Sequence, residues 1–112
     1  MIDSLPLGLS EQDRNIVLEI LRTQLPNRPV HAFGSRALGT ARRRSDLDLA
    51  IGGTTPLSLL QRALLCEAFS ESDLPIQVDI VDLNAITPEF RQRIERDFVP
   101  IQHGVLSEAV TP

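Results

Sequence analysis

Two aspartates, Asp46 and Asp48, stand two residues apart in Asp46-Leu47-Asp48-Leu49-Ala50-Ile51. Leu47, Leu49 and Ile51 alternate with them, a period of two that reads as a strand with one buried face. Both carboxylates then leave the same face, about 7 Å apart along the strand. Carboxylates held that close repel each other unless a cation lies between them. Mg2+ is such a cation: it takes hard oxygen ligands and often uses one or two carboxylates plus substrate phosphates. On this pattern alone, two ordinary solvated acids are the simpler reading.

A third acid shifts the balance. Asp79 sits in the middle of Ile76-Gln77-Val78-Asp79-Ile80-Val81. A charge at the centre of an apolar strand is costly unless it is paired or binds a metal. The alternatives are the solvent side of an edge strand, or a pairing with an arginine. Taken with Asp46 and Asp48, a metal site is the better reading. Asp82 falls out of this alternation and reads as a strand-end or turn residue.

Gly34-Ser35 follows a short extended run and opens a polar turn. Glycine permits close backbone approach. A serine hydroxyl and the N–H groups of a helix start can hold phosphate oxygens. Arg36 can add a charge-assisted contact. By itself a Gly-Ser pair is only a turn. The spacing gives it weight, because Ser35 and Asp46 are separated by ten residues, giving G-S-x10-D-x-D. From average residue usage, a chance occurrence in a chain this long is on the order of one in a thousand.

The segment from Gly34 through Asp46 and Asp48 to Ile51 resembles the signature of the DNA polymerase β-type nucleotidyltransferase superfamily. The small size further resembles its minimal nucleotidyltransferase branch, and Val78-Asp79-Ile80-Val81 is similar to the family's later strand with a third acid. The resemblance implies a nucleotidyltransferase fold and a metal-dependent transfer of a nucleoside monophosphate, AMP from ATP, to a hydroxyl. It implies two Mg2+ ions, with Mn2+ as a substitute. Asp46 and Asp48 would hold both ions, and Asp79 would complete one site and help deprotonate the acceptor. Gly34 and Ser35 would hold the triphosphate, helped by Arg36. In that branch the domain is commonly an antitoxin that modifies a tyrosine of a HEPN-domain toxin, so a hetero-oligomer is expected. The chain has no tyrosine of its own, which removes tyrosine self-modification. Two alternatives stay open: the catalytic half of a two-subunit enzyme acting on a small molecule such as an aminoglycoside, and an antitoxin that acts by binding alone.

These residues need elements to hold them. Ser10 followed by Glu11, Gln12 and Asp13 predicts a helix start, and Ile16, Val17, Ile20, Leu21 and Leu25 recur at helical spacing until Pro26. Val30 to Phe33 reads as a short strand, with a helical turn near Ala37-Leu38. Thr55-Pro56 predicts a cap and first position for a helix over Leu57 to Phe69. A strand is expected over Ile76 to Leu83. Thr87-Pro88 caps a helix whose Phe90, Ile94 and Phe98 form an apolar stripe. Ile101 begins a last short strand. The expected class is α/β (α+β), a small mixed sheet flanked by helices. The short link between the first two strands favours an antiparallel pair.

One domain is expected, over residues 2–104, with a weakly ordered tail over 105–112. With 42% hydrophobic residues and only four Phe as aromatics, the core must be largely aliphatic. A net charge of −4 argues against duplex nucleic acid as the main partner. The single cysteine, Cys66, excludes an intrachain disulfide and fits a cytoplasmic setting; it is expected in the core. No signal peptide or membrane span is expected. His31 and His103 read as structural or surface residues. Arg42-Arg43-Arg44 is a solvated loop, a phosphate contact or a docking point for an acidic partner.

Overall fold

A computed structural model describes residues 6–104. After a 3₁₀ turn at Pro6–Gly8, the order is α1 (Glu11–Gln24), β1 (Val30–Phe33), α2 (Ser35–Leu38), β2 (Leu47–Ile51), α3 (Leu59–Ser70), β3 (Val78–Asp82), α4 (Pro88–Glu95) and β4 (Val99–Gln102). The expected tail lies outside the described residues. The four strands form one mixed sheet in the order β3-β2-β1-β4. β2 and β3 are parallel, and β1 is antiparallel to both β2 and β4.

Local chemistry sets most boundaries. The Ser10 side chain accepts from the Asp13 N–H and starts α1, and Thr87 does the same for α4 through Phe90. The start of α3 differs from expectation. Its cap is Ser58, in a reciprocal box with Gln61, while Thr55 serves another purpose. The Thr55 carbonyl and hydroxyl accept from the guanidinium of buried Arg28, which also donates to the carbonyls of Gly52 and Pro56. Thr55-Pro56 therefore belongs to the loop that Arg28 closes.

The sheet is covered on both faces. Leu47, Leu49 and Ile51 join Val17, Leu21, Leu65 and Phe69 in the main core, with α1 and α3 packed above them. On the other face Phe33, Ala50, Leu83 and Ile94 form a smaller cluster under α4. The face carrying Asp48 is thus only partly open, because Ala50, two residues on, is fully buried. In the expected Phe stripe, Ile94 is buried, Phe98 stacks on His31 with ring centroids 4.7 Å apart, and Phe90 remains exposed. His31 is a packing residue, as expected; burial first, then the charge of His103, lowers its pKa.

Cys66 is exposed, against the expectation of a core position. Leu65 and Phe69 are four residues apart and turn the buried stripe of α3 inward. Cys66, a hundred degrees round from Leu65, falls outside that stripe.

Candidate active site

The acids come together through strand pairing. Asp48 pairs with Phe33 of β1 on one side and with Asp79 of β3 on the other. Residues paired in this way share a sheet face, so Asp48 and Asp79 project together from neighbouring strands. Asp46 is exposed one residue before β2, while Asp48 and Asp79 are half-buried. β3 is an edge strand, which lets Asp79 keep contact with solvent. Asp82 lies on the opposite face, buried, and accepts from the N–H groups of Leu57 and Asn84. It secures the loops at the end of the strand, in keeping with the sequence reading.

The Asp48 carboxyl is raised above its ordinary pKa, first by burial, then by the charges of Asp79 and Asp46, and by a hydrogen bond with Asp79. Asp48 is therefore the acid that stands in the field of the other two. The three do not already converge: among the described residues, no three acidic, histidine or cysteine side chains surround a common cation position. One oxygen of Asp79 accepts from the Gln77 side chain at 3.2 Å. The donor set fits a hard divalent ion all the same, because Asp48 stands in the field of two further carboxylates, and a cation relieves that repulsion most directly.

Gly34 is built against this group. Its φ is +77°, and a Cβ placed there would lie 2.5 Å from Asp48 Oδ2. Bare backbone is thus required beside the carboxylate, and the chain turns there into α2. Ser35, half-buried, is the first residue of α2, and its carbonyl is closed by the Thr40 N–H at 3.0 Å. Gly34 is thus placed beside Asp48, and Ser35 follows it as the first residue of α2.

Arg36 is placed differently from the expectation of a phosphate contact. It is 3% exposed. Its guanidinium donates to the carbonyls of Leu7, Gly8, Arg42, Arg43 and Ser45. A guanidinium has five N–H donors, and these five bonds use them all. Nothing in the local sequence signals this, because the acceptors are backbone groups as far away as residue 7. Arg42, Arg43 and Arg44 are exposed on the same loop. Among the described residues no helix is long and apolar enough to cross a membrane.

Residues 15–102 match the family described as Polymerase beta, Nucleotidyltransferase. A Haemophilus influenzae protein named probable protein adenylyltransferase MntA is 46% identical over 96 residues, covering 86% of this chain and 84% of the relative. The protein adenylyltransferase MntA of Shewanella oneidensis is 29% identical over 87 residues, covering 77% of this chain and 62% of the relative. Among solved structures, a toxin-antitoxin complex with AMP-PNP superposes with a TM-score of 0.69 at 26% identity, covering 87% of this chain and 78% of the matched chain.

Proposed function

Since this chain belongs to the polymerase β-type nucleotidyltransferase family, we propose that it transfers AMP from ATP to a tyrosine hydroxyl of a partner HEPN-domain toxin and so acts as an antitoxin. The observation that carries this reading is the grouping of Asp46, Asp48 and Asp79 at the end of two parallel strands, with the bare backbone of Gly34 against Asp48. The named activity of the relatives supports a protein acceptor and ATP. The toxin-antitoxin complex with AMP-PNP supports a nucleotide bound in the company of a partner.

In this reading Asp46 and Asp48 would hold two Mg2+ ions, and Asp79 would turn from Gln77 to complete one site. Bound there, the ions would lower the pKa of the acceptor hydroxyl and stabilise the departing pyrophosphate. The chain's own residues do the rest. Gly34 and Ser35 hold the triphosphate close to the acids. The acceptor oxygen bonds to the α-phosphorus, and the bond from that phosphorus to the β-phosphate bridging oxygen breaks. Pyrophosphate leaves, and the hydroxyl proton passes to Asp79. The acids lie at an accessible sheet end, with Asp46 exposed, which suits an acceptor brought by a second protein. A cytoplasmic location, where ATP and Mg2+ are plentiful, goes with this reading.

The test incubates the purified chain and its partner with ATP labelled at the α-phosphate and Mg2+. Label is expected on a partner tyrosine, and Asp48→Ala should abolish it. No transfer with either Mg2+ or Mn2+ would overturn the proposal. If Asp46→Ala with Asp48→Ala still neutralises the partner, binding alone is the mechanism.

A further inference from the structure

The buried guanidinium of Arg36 and the turn that carries Asp46 form a unit the proposed reaction does not yet use. The turn is closed on itself: the Arg42 N–H donates to Ser45 Oγ at 2.8 Å, and the Ser45 N–H donates to the Arg42 carbonyl at 3.0 Å. Its three arginine side chains point to solvent, while the carbonyls of Arg42, Arg43 and Ser45 accept from Arg36 at 3.3, 3.1 and 3.0 Å. From its other edge the same guanidinium donates to Leu7 and Gly8, at 3.0 and 3.3 Å. Leu7 has φ +64°, a left-handed conformation unusual for leucine, so that turn needs outside contacts to persist. Asp46 follows directly on Ser45. Arg36 itself follows directly on Ser35.

We propose that Arg36 is a positioning residue that pins the Asp46-bearing turn to the Gly34-Ser35 loop, fixing the metal ligand relative to the phosphate-binding backbone. The inference rests on the nucleotidyltransferase reading for its functional meaning, though the clamp itself is a structural claim. A planar fork with five donors suits five carbonyls arranged around it. Lysine offers three donors from a single point and cannot span them. Because all five donors are engaged, Arg36 could touch a phosphate only by releasing a carbonyl. A role through Asp46 therefore predicts a defect in metal use, whereas direct phosphate contact predicts a defect in nucleotide affinity at every metal concentration.

The experiment has two arms. In the unmodified protein, amide hydrogen exchange by NMR should show slow exchange at Ser45 despite the exposed side chains around it. In Arg36→Lys that protection should fall while amides of α1 and α3 keep theirs. In the second arm, AMP-PNP binding is titrated against Mn2+. Arg36→Lys should raise the Mn2+ concentration for half-maximal binding about tenfold, as loss of a group that orients a metal ligand does, with near-normal affinity once Mn2+ saturates. Arg28→Lys, which loosens a comparable buried arginine away from the acids, should lower thermal stability without moving the Mn2+ dependence. Weaker AMP-PNP binding at saturating Mn2+ with unchanged metal dependence would make Arg36 a phosphate ligand and overturn the proposal. So would unprotected exchange at Ser45 in the unmodified protein, a result that holds even if Arg36→Lys does not fold. If the unmodified protein binds no AMP-PNP, the nucleotidyltransferase reading fails, and the exchange arm still decides the clamp.

Discussion

Burial raises the Asp48 carboxyl above its ordinary range, and the charges of Asp79 and Asp46 raise it further. An acid with a raised native pKa holds its proton more tightly folded than unfolded, so its ionisation opposes folding. That cost begins as pH rises through the ordinary carboxylate range and is complete above the native value. Asp48→Asn should therefore raise the unfolding temperature at pH 7 in a chelating buffer while abolishing AMP transfer. Solvent screening of this half-buried group limits the gain to a few degrees. The gain should vanish as pH falls below the carboxylate range. An unchanged or lower melting temperature at pH 7 would sink the argument. Gly34 and Gly39 offer a second residue-level test. Both have positive φ, but a Cβ at Gly34 would meet Asp48 while one at Gly39 meets nothing within 4 Å. Each alanine variant should lose about 1 kcal/mol or somewhat more of stability. Only Gly34→Ala should also lose activity, about 100-fold, because it displaces the carboxylate. Comparable turnover in the two variants, measured by label transfer, would contradict this.

At the scale of elements, the site depends on where strands end and helices begin. β2 buries Leu47, Leu49 and Ile51 on the α1 and α3 side, which forces Asp48 to the other face. A one-residue slip would exchange the two sets, so burial of three aliphatic side chains fixes the register of the acid. The cap of α3 is separable from this. Ser58→Ala removes the hydroxyl that accepts from the Gln61 N–H and should cost about 1 kcal/mol by chemical denaturation. Label transfer should stay near the unmodified rate, since α3 covers the face opposite the acids. A matching loss of turnover in a folded variant would show that α3 positions the site after all.

At the scale of the whole molecule, the core is complete without a metal. Leu21, Leu47, Leu49, Ile51 and Leu65 are fully buried and hold three elements together. Chelation should therefore abolish transfer while leaving the circular dichroism spectrum and cooperative melting intact. Adding AMP-PNP and Mg2+ at about a hundred times their dissociation constant should then stabilise the fold by roughly 2.7 kcal/mol. Unfolding on chelation alone would mean that the metal is part of the fold.

The sequence by itself determined the local features of this protein. Alternation over Asp46 to Ile51 specified a strand, observed over Leu47–Ile51, with Asp48 on the face away from the main core, because side chains alternate every two residues whatever the strand pairs with. Ser10 and Thr87 announced their helices, since capping is a contact across three residues. The ten-residue spacing after Ser35 carried the family resemblance. Tertiary structure decided the rest. Parallel pairing of β2 with β3 put Asp79 opposite Asp48, and antiparallel pairing of β1 with β2 carried Gly34 to the same carboxylate. It left Cys66 outside and drew Thr55 into the loop that Arg28 closes, its carbonyl accepting from a guanidinium 27 residues away. It also gave Arg36 five backbone acceptors, drawn from two separate segments of the chain. Periodicity and capping are local, whereas strand order and the partners of a buried guanidinium depend on groups distant in the chain, so no short window of sequence contains them.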